Sequence, residues 1–204
     1  MSVDITVTLP IDLCYHGFFS KGVHRNLLKN VNGEHGFAHW TLEGGSEGII
    51  IESPLVGSDE LPLDVDEFNG HKTCFTGNRE LGCKSQIVSV VNDKYLSYLI
   101  NKYKPYIYAS EWIAAREDAA AQYTMTVKVI STNGEQIVKT LSHKIEKGYG
   151  KEWLKKEIII KNYPDNVEKI VFTHCTKDIN KWAGHYGMKM AGAVVKILLD
   201  SVKV

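Results

Sequence analysis

The sequence predicts an all-β fold, namely an antiparallel, jelly-roll-like β-sandwich with one or two short helices. Three observations favour it: repeated runs of alternating apolar and polar residues, turn-forming residues between those runs, and a single segment with convincing helical spacing. The chain has 204 residues, of which 44% are hydrophobic, which is enough for one sizeable core. We therefore expect one sandwich domain.

The clearest strand is YTMTVKVI, residues 123–130. Apolar or aromatic side chains occupy every second position, which is the period of a half-buried strand. Asn133 and Gly134 follow, and this dipeptide accepts the positive φ angles of a tight turn. The β-rich stretch EQIVKTLSHKI, residues 135–145, comes next, so the sequence predicts a hairpin here.

Other segments fill out the sandwich. KEIIIKNYP and VEKIVFTHC repeat the strand–turn–strand pattern, with residues 163–166 as the turn, and AGAVVKILL is a plausible last strand. Residues 49–51, three isoleucines in a row, are predicted to form a short strand. Residues 57–70 are rich in Gly, Pro, Asp and Glu, and we expect them to form a long exposed loop.

One helix is predicted in NDKYLSYLINKYKP, residues 92–105. Asn92 or Asp93 can cap its N-terminus, and Pro105 ends it. The apolar residues in between recur at helical spacing, so one face of this helix is expected to pack on the sandwich.

Composition excludes several classes of protein. Lys plus Arg and Asp plus Glu are equal at 24 each and no stretch is markedly basic, so nucleic acid is not expected as a partner. No run of about 18 apolar residues exists, so no membrane span is expected. The N-terminus lacks the basic start of a secretory signal. The four cysteines form no C-x-x-C pair, which favours reduced thiols in a cytoplasmic protein.

The sequence assigns no metal site, no cofactor and no catalytic residue. His174 and Cys175 are the only close His/Cys pair, and neighbours on a strand point to opposite faces. The usual motifs for acyl transfer, dinucleotides and nucleotides are absent. Glu111, Glu117 and Asp118 could supply two carboxylates for acid–base chemistry, but Arg116 among them favours a solvated salt-bridge cluster. Cys14 and Cys83 are interpreted as buried small apolar residues.

Five blocks of sequence, in a fixed order over nearly the whole chain, resemble the F-box-associated domain. They are FFSKGVHRNLLKN at 18–30, HW at 39–40, CKSQIVSV at 83–90, EWIAAREDAAAQY at 111–123 and DINKWAGHYGMKMAG at 178–192. The resemblance implies an antiparallel β-sandwich, in agreement with the strands predicted above. It divides the chain into an N-terminal extension, residues 1–17, and an F-box-associated-type domain, residues 18–204.

The best-known members of that family are sugar-recognising F-box proteins, which hold the chitobiose core of N-linked glycans and present glycoproteins to a ubiquitin ligase. The resemblance therefore implies an N-glycan or a glycoprotein as ligand. The ligase-adaptor role needs an F-box of some forty residues, and only 17 residues precede the match. We therefore expect this chain to resemble the F-box-lacking branch and not to act as an adaptor.

The resemblance also implies the binding residues. Where glycan-binding members have Tyr-Trp-Lys, this chain has Lys181, Trp182 and Ala183, so only the tryptophan is kept. A second family aromatic aligns at or near Arg79, and a shift in the alignment would place it at Phe75. The predicted ligand-binding residues are Trp182, Lys181, Asn180, Ala183, Arg79 and Phe75.

The differences from the glycan-binding members are expected to weaken sugar binding. A sugar ring stacks its apolar face on an aromatic side chain and needs partners for its hydroxyl groups, so each lost contact costs about 1–3 kcal/mol. Gly184 and Gly187 imply a tight exposed loop around Trp182, whereas His185 and Tyr186 are expected to pack at its base. The remaining tryptophans, Trp40, Trp112 and Trp153, are predicted to pack in the core.

Two alternatives remain open at this stage. The chain could be a protein-interaction module that has lost sugar binding. The same pocket could also have been recruited for catalysis on a small molecule, with His185, Glu111, Asp118 or a cysteine as the acid, base or nucleophile, because a fold does not determine a function.

Overall fold

The structure, a computed structural model, describes residues 25–44 and 48–198. These residues form ten strands, one α-helix and one short 3-10 helix. The predicted extension, residues 1–17, and Cys14 lie outside the described residues. No helix among the described residues is long and apolar enough to cross a membrane.

The strands build two five-stranded antiparallel sheets that pack face to face, so the predicted all-β sandwich is confirmed. The first sheet has the order β1-β4-β9-β6-β7 and the second the order β2-β3-β10-β5-β8. The strands are β1 (Thr41–Glu43), β2 (Ile49–Glu52), β3 (Cys74–Gly77), β4 (Gly82–Ser89), β5 (Tyr106–Ala114), β6 (Ala121–Ser131), β7 (Gln136–Ile145), β8 (Leu154–Ile160), β9 (Val167–Asp178) and β10 (Lys189–Leu198).

The hairpin predicted from alternation is confirmed. Strands β6 and β7 pair antiparallel from Ala121↔Ile145 to Ile130↔Gln136, and Gly134 occupies the turn with φ 88°. The turn at residues 163–166 is present, but it does not close a hairpin. Strand β8 belongs to the second sheet and β9 to the first, so this turn carries the chain across the sandwich.

The predicted helix is confirmed as α1, Lys94–Tyr103. Of the two cap candidates, Asp93 is the N-cap, because its carboxylate accepts hydrogen bonds from the backbone N–H groups of Tyr95 and Leu96. Lys104 ends the helix in the left-handed conformation, one residue before Pro105. The helix buries Leu96, Leu99 and Ile100, as its apolar spacing predicts.

The expectation that residues 57–70 form an exposed loop is wrong in part. The 3-10 helix Asp66–Phe68 lies in this segment, and Leu61 and Phe68 are buried. They cover a second apolar cluster that includes Trp153 and the side chains of Cys74, Ala114 and Ala191. The cluster lies on the outer face of the second sheet, because these strand residues alternate with ones that face the main core.

The main core lies between the two sheets. Trp40 is 7% exposed and belongs to it, as predicted, and the Trp40 indole N–H donates to the Asn30 carbonyl. Trp153 is buried and Trp112 is partly buried, but both pack in the outer cluster against Phe68 instead of between the sheets. The sequence identified these residues as packing residues but could not separate the two faces of the second sheet.

The expectation of reduced thiols is wrong for one pair of cysteines. Cys83 and Cys175 form a disulfide. The register of β4 on β9 places them directly opposite each other, with their Cα atoms 4.1 Å apart. Disulfides persist in oxidising compartments, so the cysteines no longer support the expectation of a cytoplasmic location.

Candidate functional site

Two loops meet at one end of the sandwich. They are the β3–β4 loop, residues 78–81, and the β9–β10 loop, residues 179–188. The Asp178 backbone N–H donates to the Asn78 carbonyl at 2.8 Å, and the Gly187 N–H donates to the Gly77 carbonyl at 2.9 Å. A Cβ atom at Gly187 would lie 2.8 Å from the Gly77 backbone, so this close approach requires glycine. The two loops are therefore joined through their backbones.

The carboxylate of Asp178 holds the β9–β10 loop. Asp178 is 1% exposed, and its two oxygens accept the backbone N–H groups of Asn180 at 2.8 Å and Trp182 at 2.7 Å. Lys181, between them, has a φ of 57°, in the left-handed region. A carboxylate accepting two N–H groups is a strong local anchor. It fixes the backbone on which the predicted binding residues stand.

We expect Asp178→Asn to lower the free energy of unfolding by about 1–2 kcal/mol, because an amide offers one acceptor oxygen where the carboxylate offers two. Urea denaturation measures this change, and hydrogen exchange at the amides of Asn180 and Trp182 should accelerate. Asp64→Asn is the matched control, since Asp64 is exposed. Equal exchange rates in the two variants would show that Asp178 does not anchor the loop.

A groove of about 610 Å³ opens beside the two loops, within the size range of ligand pockets. Three neighbouring strands, β9, β6 and β7, form the floor of the groove. In their register Lys177 pairs with Gln122, and Gln122 pairs with Lys144. These three side chains stand in one row on the outer face of the first sheet. Arg79 and Lys181 line the groove from the two loops.

The structure brings some of the predicted binding residues together. Arg79 and Lys181, 102 positions apart in sequence, line the same groove. Trp182 is not among the side chains that line the groove, and neither is Asn180 or Ala183. These three residues lie in the same loop, beside the groove. The sequence carries no motif that singles out Lys177, Gln122 and Lys144, although the strand alternation in 121–131 places Gln122 on the outer face.

Trp182 is 39% exposed, as expected for an exposed loop. Its ring meets that of Tyr186 edge to face at 5.4 Å between centroids, and the Lys147 ammonium lies 5.6 Å from its centroid. Tyr186 in turn lies 4.3 Å beneath the Arg116 guanidinium, so it packs at the base of the loop as predicted. Arg116 forms two hydrogen bonds of 2.9 Å to Asp118. Trp182 is thus an exposed aromatic side chain with a fixed support.

Phe75 does not lie at this surface. Its side chain is 0% exposed and contacts the Trp40 and Phe37 rings in the main core. Strand β3 alternates, so Cys74 faces the outer cluster and Phe75 faces inward. The shifted alignment that would place a binding aromatic at Phe75 is therefore contradicted, and Phe75 is not part of the candidate surface.

A second set of polar residues lies inside the sandwich. Lys84, Glu111, Tyr123 and His174 are each 0% exposed and come from four different strands. The Tyr123 hydroxyl donates to Glu111 Oε2 at 2.5 Å, and His174 Nδ1 lies 2.5 Å from the same oxygen. A carboxylate only accepts, so His174 carries its proton on Nδ1. The interpretation of Glu111 as part of a solvated salt-bridge cluster is wrong, although it holds for Arg116 and Asp118.

Burial dominates the electrostatics of this buried cluster. It lowers the pKa of His174 to about 4, although Glu111 acts in the opposite direction. Burial also takes the pKa of Lys84 well below its usual range and raises that of Tyr123 well above it. The Lys84 ammonium nitrogen lies 3.2 Å from the Trp40 ring centroid and has no hydrogen-bond partner among the described residues. The charge of Glu111 opposes the effect of burial on Lys84 and favours its charged form.

The residues considered for catalysis are not assembled into one site. Glu111 is in the core, whereas Asp118 is at the surface with Arg116. Cys83 is in a disulfide, and burial raises the pKa of the Cys74 thiol to about 12. His185 Nδ1 is buried without a hydrogen-bond partner among the described residues. Within the same residues, no three His, Cys, Asp or Glu side chains are grouped as metal ligands would be.

The fold and the groove define the class of protein, an antiparallel β-sandwich with a polar, ligand-sized groove beside the loops at one end. The family model described as the F-box associated region matches residues 18–197, so the chain belongs to the F-box-associated family. The family expected from the five sequence blocks is thereby confirmed.

Two similar human proteins are F-box only proteins. Human (Homo sapiens) F-box only protein 44 is 28% identical over 187 residues, a match that covers 88% of this chain and 70% of the relative. Human F-box only protein 6 is 26% identical over 184 residues, which cover 88% of this chain and 61% of the relative. The relatives thus contain a substantial length of sequence that the match does not cover.

Solved structures agree on the fold. The CBM22-1 xylan-binding domain of Paenibacillus barcinonensis Xyn10C has a TM-score of 0.50 at 10% identity, covering 88% of this chain and 98% of that domain. The C-terminal family 22 carbohydrate-binding module of Clostridium thermocellum Xyn10B has a TM-score of 0.51 at 9% identity, covering 87% and 96%. At these identities the likeness concerns the sandwich architecture alone.

Proposed function

We propose that this chain is a glycan-binding module whose ligand is an N-linked glycan or a glycoprotein. The observation that carries the proposal is Trp182, an aromatic side chain that is 39% exposed on an anchored loop beside a polar groove. A sugar presents an apolar ring face and a rim of hydroxyl groups, so it needs an aromatic side chain next to polar partners. Membership in the F-box-associated family supports this choice of ligand.

The polar partners come from the groove. Gln122 offers both donors and an acceptor, and Lys177, Lys181 and Arg79 offer donors to hydroxyl oxygens. A ligand stacked on Trp182 would reach these groups by extending along the loop. We also propose that Asn180 and Ala183 contact the ligand next to Trp182. They belong to the same loop, which Asp178 fixes at the backbone of Asn180 and Trp182.

The experiment is a glycan array probed with the purified protein beside its Trp182→Ala variant. We expect the variant to bind glycans about tenfold more weakly or worse, because an aromatic contact is worth about 1–2 kcal/mol and 1.4 kcal/mol corresponds to tenfold. Its melting temperature should stay close to that of the unchanged protein, since the ring is partly exposed.

Tyr106→Ala is the matched control. Tyr106 is also partly exposed, and the Lys161 ammonium lies 4.0 Å from the centroid of its ring. Tyr106 is the first residue of β5, however, and the last residues of β5 are the ones next to the loops. Full binding by Trp182→Ala would contradict the assignment of the loop. Capture of the same partner proteins before and after enzymatic removal of their glycans would instead favour a protein-interaction module.

A further inference from the structure

We propose that the groove selects a negatively charged saccharide, one that carries sulfate or carboxylate groups, over its neutral counterpart. This inference rests on the proposed function and specifies its ligand class. The inference rests on the positively charged side chains that line the groove. Strand register and loop contacts bring these residues together from separate segments of the sequence.

Four cationic side chains line the groove, and two carboxylates accompany them. The cations are Arg79, Lys144, Lys177 and Lys181. The whole chain has equal numbers of acidic and basic residues, so this excess is local. A concave surface lined mainly by one sign of charge raises the local concentration of ligands of the opposite sign.

The carboxylates leave part of this charge uncompensated. Asp178 is buried, and both its oxygens accept backbone N–H groups. Glu80 lies 3.4 Å from Arg79, and Lys144 is paired with Glu146 at 2.7 Å. Among the described residues, Lys177 and Lys181 have no ion pair with a carboxylate. These two ammonium groups are therefore the ones available to an external anion.

The groove also suits the rest of a saccharide. Gln122 stands in the floor row between Lys177 and Lys144, where its amide can bind hydroxyl groups. Neighbouring strands are about 4.8 Å apart, so the two lysines lie about 10 Å apart across the floor. Leu81, 59% exposed, and Ile179 add apolar surface for a ring face. The positive charges thus flank a surface that can hold a sugar ring.

The test uses pairs of oligosaccharides that are identical except for sulfate or a terminal carboxylated sugar, with binding constants measured by calorimetry or on an array. The full chain is compared with the double variant Lys177→Gln/Lys181→Gln. We expect the unchanged protein to favour the acidic member of each pair, and the variant to lose about tenfold in affinity for that member alone, as for two exposed ion pairs. Added salt should weaken acidic binding and leave neutral binding almost unchanged.

Lys128→Gln/Lys139→Gln is the matched control, because it removes the same charge from exposed positions outside the groove. Lys128 shares the outer face of β6 with Gln122 but lies about 20 Å further along the strand. This control should bind acidic glycans as the unchanged protein does.

The results separate this inference from the proposed function. Equal affinity for neutral and acidic members, with loss of both in Trp182→Ala, overturns the charge selection and leaves the glycan-binding function in place. An acidic peptide bound as tightly as the acidic glycans overturns the saccharide class. Binding of no glycan, neutral or acidic, overturns both.

Discussion

Replacing Glu111 with glutamine is expected to lower the free energy of unfolding by about 3 kcal/mol, because it removes a fully buried carboxylate whose oxygen is contacted by two hydrogen-bonding side chains. Lys84 and Glu111 are both fully buried, and the charge of Glu111 favours the charged form of Lys84. An amide at position 111 removes that compensation. It also replaces the oxygen that accepts hydrogen bonds from Tyr123 and His174 with a group of mixed donor and acceptor character.

Urea denaturation measures this loss, with Glu117→Gln as the matched control because Glu117 is exposed on the loop that follows the same strand. Lys84→Met in the Glu111→Gln background should restore part of the lost stability, since it removes the uncompensated amine and keeps the apolar contacts with Trp40 and Phe75. Equal stability of Glu111→Gln and Glu117→Gln would show that the buried charge does not matter.

Acidification is expected to remove about 3 kcal/mol of stability between pH 6.5 and pH 4 through His174 alone. Burial lowers the pKa of His174 from 6.5 to about 4 in the folded chain. Between these values the unfolded chain binds a proton at His174 that the folded chain does not bind. The contribution is therefore complete above about pH 6.5 and is lost as the pH falls through about 4.

Denaturant unfolding at several pH values across this window measures the slope. His174→Gln should be less stable than the unchanged protein at pH 7, but its stability should fall less steeply with acid. His35→Gln, at an exposed position, should keep the steep slope. A His174→Gln protein with the full acid dependence would mean that other groups cause the loss.

The sequence predicted the local structures well because their causes are local. Alternation in β6, the Asn133–Gly134 turn and the Asp93 cap each act within a few residues, and the structure confirms all three. The features that were missed depend on register between distant strands. The Cys83–Cys175 disulfide joins residues 92 positions apart, and only the pairing of β4 with β9 places them opposite each other.

The misinterpretation of Glu111 has the same origin. Glu111 is near Arg116 in sequence, which suggests a surface cluster, but on β5 it lies two residues from both Ala109 and Ile113, which face the core. That spacing was a usable signal, because residues two apart on a strand share a face. The partners of Glu111 were not predictable, since Lys84 and His174 reach it from the opposite sheet.

Only the part of the candidate site that lies in the family motif at residues 178–192 was predictable from the sequence. The family resemblance led to Trp182 and Lys181, and the structure adds that Lys181 shares a groove with Arg79. The floor residues Lys177, Gln122 and Lys144 carry no motif. They become neighbours only when three strands align, so their contribution depends on the fold and not on any short stretch of sequence.

Because the β9–β10 loop is attached through its backbone, the side chains at its tip can be replaced without breaking that attachment. Asp178 holds the loop through the backbone N–H groups of residues 180 and 182, so the side chains at 180–183 contribute nothing to that attachment. A four-residue segment whose second residue tolerates the left-handed conformation of Lys181 could therefore be grafted between Ile179 and Gly184 with little effect on the sandwich. Changes of ligand preference within such a scaffold need only a few substitutions outside the core.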